Sequence, residues 1–253
     1  MSKFARMIDV LDLFSEDRTM LTAEEIADRL GVSRPTGFRY ARELSAAGFL
    51  ANYAGRYSLG ARIITLDYRI READPLLAVA REPMRQLAEA TGCRAVLCRM
   101  YNDDVVSVHH QGGEAIGGLV LARGHPLPLW RGAASKVMLA HLPVARLRRL
   151  YERHHQAPEL QALAPDWTAF KAHFARIRRQ GYYDSHGELS EGITGVAVPI
   201  VLPKVGVVAV TSLVFRAERR DPEHVLALAR RLQAYSNGVA QALADAAPPK
   251  IGE

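Results

Sequence analysis

The chain has 253 residues, a formal net charge of +6 and 49% hydrophobic residues, and this length favours two domains over one. It contains neither a signal-like leader nor an apolar run of the roughly 18 residues that a membrane span requires, so we expect a soluble, cytoplasmic protein. Its two cysteines, Cys93 and Cys98, are poorly placed for a disulfide, which is typical of a reducing compartment.

An amphipathic first helix is predicted by apolar residues that recur at helical spacing, namely Met7, Val10, Leu11 and Phe14. We expect it to pack beneath residues 21–50, which predict two short helices around a tight turn. Thr22 and Glu25 have the spacing of a capping box, and Gly31 can adopt the left-handed conformation that ends the first of these helices. Ser33 is expected to cap the second. This pattern predicts a helix-turn-helix.

The second helix of this pair predicts a surface suited to the major groove of DNA. Its inward stripe is expected at Ala41, Leu44 and Gly48, and its outward face at Thr36, Arg39, Tyr40 and Glu43. Arginine can pair with a guanine edge and threonine can contact a thymine methyl, while flanking arginines contact phosphates. Residues 49–59 alternate around Ala54-Gly55 and predict a two-stranded wing. The predicted DNA contacts are Ser33, Arg34, Thr36, Arg39, Tyr40, Arg42 and Arg56.

The charge of this N-terminal region gives little support for DNA binding by a single copy. Residues 1–60 hold eight Lys and Arg residues and eight Asp and Glu residues. We therefore expect recognition of double-stranded DNA to need a dimer on two half-sites. The alternative is a small-molecule-binding or protein-interaction module whose winged helix does not bind DNA.

The remainder of the chain predicts a linker helix and then a mixed domain. Residues 60–73 read as the linker, and Pro75 opens a helix in which Pro83 either introduces a kink or starts a second helix. From Ala95 the period changes to two, which predicts an antiparallel meander of three strands. The strands of the meander lie at residues 95–100, 105–111 and 119–124. Further helices are expected at residues 131–141, after Pro143, after Asp166 and at 222–244, with strands at 196–201 and 207–215.

These elements predict an α+β fold class. An N-terminal winged helix-turn-helix is joined by a helix to a C-terminal domain in which helices pack on an antiparallel sheet. The predicted boundaries are residues 1–60 for the winged helix, 61–75 for the linker, 76–247 for the second domain and 248–253 for a tail.

The second domain shows signs of ligand binding but not of catalysis. Small residues at the start of the predicted 131–141 helix leave backbone N–H groups open to a carboxylate or phosphate. The nine histidines include adjacent pairs that would point to opposite faces of a strand, and no familiar ligand spacing occurs, so we expect no metal. No nucleophile elbow or phosphate loop is present. We therefore expect neither a catalytic residue nor a cofactor.

Two segments carry a resemblance to a known family. PLWRGAASKVMLA at residues 128–140 and GYYDSHGELSEGITGVAVPI at residues 181–200 resemble the signature regions of IclR-type bacterial transcriptional regulators. The resemblance spans nearly the whole chain. It implies a winged helix coupled to a GAF-like effector-binding domain, assembly as a homodimer or dimer of dimers, and control of catabolic genes by a small molecule.

The resemblance also implies an effector pocket. Carried over by position, its residues are Ala133, Ala134, His186, Val196, Thr211 and Leu213, and Trp130 stands where family members commonly have a smaller residue. The aromatic and cationic character of these departures favours an aromatic or other hydrophobic carboxylate as effector. Ligand binding is then expected to bias the dimer geometry through residues 60–73, so that two recognition helices fit or misfit half-sites about one turn of DNA apart.

Overall fold

The computed structural model describes residues 3–113, 121–216, 218 and 221–246. The chain forms two compact units, Met1–Asp74 and Pro75–Glu253. The predicted tail at residues 248–253 lies outside the described residues.

The first unit is a helix-turn-helix with a three-stranded sheet. Its elements are α1 (Lys3–Ile8), a 3-10 turn (Leu11–Leu13), β1 (Leu21–Thr22), α2 (Ala23–Leu30), α3 (Arg34–Ala46), β2 (Leu50–Tyr53), β3 (Arg56–Leu59) and α4 (Arg62–Ala73). The strand order is β1-β3-β2, with both pairs antiparallel. The predicted wing is confirmed, and Ala54 and Gly55 both have positive φ at its two-residue turn, as a tight hairpin requires. Strand β1 was not predicted, and the first helix ends earlier than its apolar pattern suggested.

The predicted signals around the turn of the helix-turn-helix are largely confirmed. The Glu25 carboxylate accepts from the Thr22 N–H at 2.7 Å, and the Thr22 hydroxyl accepts from the Glu25 N–H at 3.2 Å. Gly31 has φ +63° and ends α2. Ser33 occupies the N-cap position of α3 as predicted, but its side chain makes no capping hydrogen bond. Its hydroxyl instead lies 2.9 Å from the Thr36 hydroxyl.

Gly37 allows α2 and α3 to cross closely. A Cβ atom at this position would lie 2.6 Å from the Ala27 Cβ and 2.8 Å from the Ala23 carbonyl oxygen, distances that real Cβ contacts do not reach. The apolar core of the unit surrounds this crossing and includes Val10, Leu21, Ile26, Tyr40, Ala41, Leu44, Leu50 and Tyr57.

The second unit places helices on both faces of a six-stranded antiparallel sheet. Its helices are α5 (Pro75–Thr91), α6 (Ala133–Ala140), α7 (Val144–His154), α8 (Pro158–Leu163), α9 (Trp167–Gln180) and α10 (Pro222–Asp245). Its strands are β4 (Arg94–Tyr101), β5 (Asp104–Gln111), β6 (Pro126–Leu127), β7 (Tyr183–His186), β8 (Ile193–Leu202) and β9 (Gly206–Arg216), in the order β6-β5-β4-β9-β8-β7. The predicted α+β fold class is therefore confirmed.

Several elements of the second unit differ from prediction or decide between alternatives. Helix α5 runs through Pro83 as one helix, which excludes the alternative that a second helix starts there. Helix α8 and strand β7 were not predicted. The third meander strand was expected at residues 119–124. Residues 119 and 120 lie outside the described part of the chain, residues 121–124 are not a strand, and β6 follows at Pro126–Leu127.

The sheet separates two apolar cores. The face that carries α6 and α9, hereafter the α6 face, packs Val96, Val137, Met138, Phe170, Phe174, Ala197, Val210 and Val214. The opposite face, hereafter the α10 face, packs against α5 and α10 through Leu77, Met84, Leu97, Val196, Val198, Leu213, Leu228 and Leu232. Successive strand residues point to opposite faces, so both faces of β8 and β9 are buried and apolar.

Candidate DNA interface and effector site

The exposed face of α3 is rotated from the predicted one. Gly37, Tyr40, Ala41 and Leu44 form the buried stripe, whereas Arg34, Pro35, Phe38 and Arg42 are exposed. Gly48 does not belong to the stripe, because α3 ends at Ala46. Gly48 has φ +78°, and the Phe49 N–H donates back to the Leu44 carbonyl at 2.9 Å, which is the closing bond of a Schellman motif.

Tyr40 is a core residue, and its predicted outward orientation is wrong. It is only 4% exposed and packs in the apolar core of the first unit. The physical reason is that residues 37, 40, 41 and 44 share one side of the helix. The guanidinium of Arg39 lies 5.4 Å from the centre of the Tyr40 ring, so Tyr40 makes a cation–π contact with this arginine.

The arginines of α3 differ in whether other side chains contact their guanidinium groups. Arg39 lies 3.8 Å from the Glu43 carboxylate and over Tyr40. Arg34 and Arg42 are exposed and form no ion pair within the described part of the chain. Between them lies Phe38, which is 47% exposed and which the sequence analysis missed. Its spacing, four residues from each arginine, was the available signal.

A groove beside the start of α3 brings together four of the predicted DNA contacts. Its volume is about 390 Å³, and its lining includes Ser33, Thr36, Arg39 and Tyr40, together with Arg6 from α1. Arg56, also predicted, is exposed on the wing and pairs in register with Tyr53.

Arg62 fastens the start of α4 to the end of α3. Its guanidinium donates to the Ala47 carbonyl at 2.9 Å and lies 5.0 Å from the centre of the Phe49 ring. The backbone reinforces this contact, because the Gly60 N–H donates to the Phe49 carbonyl at 2.7 Å. Movement of the linker helix is therefore coupled to the recognition helix within the first unit.

The second unit contains a small, mostly apolar cavity between the start of α6 and the α6 face of the sheet. Its volume is about 30 Å³, enough for one or two water molecules. Its walls come from α6, β4, β6, β7, β8, β9 and the connecting loops, and are formed by Val96, Leu121, Leu127, Ala133, Ala134, Ser185, Leu189, Ile193, Gly195, Ser212 and Val214.

Only part of the predicted effector set lies at this cavity. Ala133 and Ala134 line it, but the four strand residues predicted with them do not. Val196 and Leu213 are fully buried in the core on the α10 face, and Thr211 shares that face because it alternates with Leu213. His186 contacts the Thr194 hydroxyl at 3.2 Å and likewise lies away from the cavity.

A shift of one residue accounts for these four misplacements. Side chains alternate along a strand, so a one-residue error moves every side chain to the other face. The neighbours of the predicted residues, Ser185, Gly195, Ser212 and Val214, are the ones that line the cavity.

Trp130 lies at a different place from the cavity. Its ring packs against Phe170, with centroids 5.8 Å apart, and against His154 at 5.7 Å. It lines a surface groove of about 600 Å³ beside β6. The structure therefore does not bring Trp130 together with Ala133 and Ala134.

A partly buried polar cluster adjoins the cavity at the start of α6. The Lys136 ammonium lies 2.7 Å from one oxygen of the Glu188 carboxylate, and that oxygen also accepts from the Gly132 N–H at 2.8 Å. The other carboxylate oxygen accepts from the Tyr183 hydroxyl at 2.9 Å. No role was predicted for this cluster, although Lys136 and Glu188 lie within the two signature segments.

The cluster favours the charged form of Glu188. Burial acts to raise the pKa of its carboxyl, but hydrogen bonds from Lys136, Gly132 and Tyr183 outweigh burial and hold the pKa below its usual value. Burial, together with the adjacent carboxylate, raises the pKa of Tyr183, which therefore stays a neutral donor.

The described residues show no metal-binding group of three or more His, Cys, Asp or Glu side chains. Within those same ranges, no helix combines the length and apolar character needed to cross a membrane.

Comparison with known families decides the identity of both units. The family model described as the IclR helix-turn-helix domain matches residues 5–52, and the one described as the bacterial transcriptional regulator IclR C-terminal domain matches residues 70–241. The chain belongs to the IclR family of bacterial transcriptional regulators. Members of this family are ligand-responsive DNA-binding regulators and not enzymes.

Individual relatives of this IclR-family regulator resemble it over nearly their full length. The glycerol operon regulatory protein of Streptomyces coelicolor is 30% identical, over 88% of this chain and 90% of that protein. The crystal structure of an IclR transcriptional regulator from Alicyclobacillus acidocaldarius is 28% identical, covers 95% of this chain and 98% of its own, and has a TM-score of 0.78. An IclR homolog from Microbacterium hydrocarbonoxydans, crystallised with 4-hydroxybenzoate, has the same fold with 23% identity, coverage of 96% and 100%, and a TM-score of 0.73.

Proposed function

We propose that this regulator binds an operator with two half-sites as a homodimer or dimer of dimers, controls catabolic genes, and responds to an aromatic or other hydrophobic carboxylate. The observation that carries the effector part is the apolar cavity at the start of α6. The wall residues offer apolar contact to a ring, and Ser185 and Ser212 offer hydroxyls to a polar substituent.

The exposed side of α3 supports the DNA-reading part of the proposal. Arg34 and Arg42 are cations free to contact phosphates, and Phe38 between them offers an apolar surface to a thymine methyl group. Arg39 can contact a guanine edge, since a surface ion pair such as that with Glu43 costs little to exchange. Tyr40 is not proposed as a contact.

The surface of α4 supports assembly with a second copy. None of its residues is buried, and Ile64 and Tyr68, one turn apart, are 72% and 57% exposed. Exposed apolar side chains grouped on one helix are typical of an interaction surface. Because Arg62 fastens α4 to α3, a change in how two α4 helices pair would also move two recognition helices.

The effector class is supported by the cavity and by one relative. The homolog crystallised with 4-hydroxybenzoate shows that an aromatic carboxylate can be bound within this fold. In the present chain, Lys136 and the Gly132 N–H lie next to the apolar walls, and both are donors suited to a carboxylate.

The proposal is tested with operator DNA selected from a random pool by the purified full chain. Fluorescence anisotropy then gives the operator Kd with and without benzoate or 4-hydroxybenzoate. We expect a bound acid to change the operator Kd of the wild type, and Ser212→Val to reduce that response without changing DNA binding alone. His186→Ala is the matched control, because its side chain points away from the cavity, and should respond like the wild type. Selection of no sequence at all would favour the protein-interaction alternative.

A further inference from the structure

We infer that residues 187–192 form a lid over the effector cavity, and that Glu188 is an internal anion which holds the lid shut until an effector carboxylate replaces it. This inference rests on the proposed function. It adds how an anionic effector enters the cavity and why the effector must carry a negative charge.

The position of the loop makes it a lid. It joins β7 to β8, and its Leu189 side chain forms part of the cavity wall. Leu189 also packs over Gly132, where an added Cβ atom would lie 2.9 Å from it. The loop is bounded by Gly187 and Gly192, which have φ of +65° and +72°, and no other described residue would come within 4 Å of a Cβ atom at either position. Two such glycines allow the backbone to reorient at both ends of the loop.

The cavity is too small for a ring in its present form. Its volume of about 30 Å³ is well below the roughly 150 Å³ of a cavity that holds benzene. Of the wall residues, Leu189 lies on the loop flanked by these glycines, so its withdrawal is the simplest way to enlarge the space. Ser185 and Ser212 are each more than nine-tenths buried in this wall. Their hydroxyls can hydrogen-bond to a polar substituent of a ligand that enters the cavity.

The contacts of Glu188 hold the lid shut, and we call Glu188 the latch for this reason. Its two oxygens receive three donors, from Lys136, Gly132 and Tyr183. The side chain of Lys136 is only 7% exposed, and a buried cation that loses its partner is strongly unfavourable. Withdrawal of Glu188 alone would leave Lys136 in that state. A ligand that brings its own carboxylate can take over Lys136 and the Gly132 N–H, so that the cation remains paired while the lid opens.

This arrangement selects effectors by charge. A neutral ring can satisfy the apolar walls and the serines, but it cannot replace Glu188 at Lys136. A carboxylate can do both. Opening the lid costs free energy, which lowers the apparent affinity for every ligand. Only an anionic ligand offsets part of this cost, because only an anion can replace Glu188 at Lys136.

The test uses thermal-shift and calorimetric titrations of the full chain with benzoate and its neutral isostere benzamide. In Glu188→Gln, we expect a lower Tm than in the wild type, a larger Tm rise with benzoate, and an apparent Kd for benzoate about tenfold lower because the competing anion is gone. The affinity for benzamide should be the same in Glu188→Gln as in the wild type. The double variant Lys136→Met/Glu188→Gln lacks the unpaired cation, so its affinity for benzoate should not exceed that of the wild type. An equal increase in affinity for benzoate and benzamide, or no increase for benzoate in Glu188→Gln, would overturn the inference.

A second measurement applies if Glu188→Gln does not fold. Hydrogen exchange of the wild type, read by mass spectrometry, should become faster at residues 187–192 when benzoate is bound. Benzoate binding with unchanged or slower exchange there would also overturn the latch. Failure of the proposed function looks different, because in that case no carboxylate would bind the wild type or alter its DNA affinity.

Discussion

Gly37→Ala should destabilise the first unit, even though alanine is the better helix former. The new methyl would meet the Ala27 Cβ at 2.6 Å and the Ala23 carbonyl oxygen at 2.8 Å. Overpacking of this kind costs about 1–3 kcal/mol, and here the upper part of that range applies, because a backbone carbonyl cannot rotate away. The higher helix propensity of alanine offsets about 1 kcal/mol of this cost. The net loss of unfolding free energy is therefore about 1–2 kcal/mol.

The assay for this loss is hydrogen exchange of the α2 and α3 amides in the full chain, which reports on the first unit separately. A fall of that size should lower the Tm of the unit by roughly 5–15 °C and weaken operator binding. Gly238→Ala in α10 is the matched control, because no atom of the described residues lies within 4 Å of its added methyl. It should stabilise the second unit by up to about 1 kcal/mol. If Gly37→Ala left the first unit as stable as the wild type, or stabilised it as Gly238→Ala should stabilise the second unit, the close crossing of α2 and α3 would be refuted.

Three further predictions concern α3 and the cysteines. Phe38→Ala should abolish the preference for thymine over uracil at one operator position, a preference of about fourfold if one methyl group is buried; an unchanged preference in anisotropy titrations would exclude the contact. Arg39→Ala should weaken binding of the selected operator by about 1–3 kcal/mol, whereas Arg42→Ala should weaken all sequences alike and reduce the salt slope by about one; the reverse pattern would exchange their roles. Burial raises the pKa of the Cys98 thiol to about 12, and Cys93 is buried as well, so the native protein should not react with a thiol reagent at pH 8, while the denatured protein should react at both cysteines.

The first unit was largely predictable because its signals are local. The capping box of Thr22 and Glu25, the left-handed Gly31 and the Ala54-Gly55 turn each depend on a few neighbouring residues, and the structure contains all three. The exposed face of α3 was less predictable. Gly37 belongs to the buried stripe only because α2 crosses there, and that crossing depends on contacts distant in sequence.

The cavity could not be placed from the sequence, because both faces of its strands are covered. The segment around Val196 and the one around Leu213 are nearly continuous apolar runs, since α5 and α10 cover one face and α6 and α9 the other. Polar and apolar residues do not alternate along such runs, so the sequence does not show which face of the sheet each side chain occupies. The start of α6 was different, because small residues before a helix are a local signal, and Ala133 and Ala134 were placed correctly at the cavity.

The central claim, that the cavity and the DNA interface are coupled, is tested most directly by calorimetric titration of the effector into the free protein and into its operator complex. Coupling between two sites is reciprocal. If the two sites are coupled, the effector Kd differs between the two titrations by the same factor by which saturating effector changes the operator Kd, typically about 5- to 150-fold. Equal effector affinities for free and operator-bound protein would contradict it.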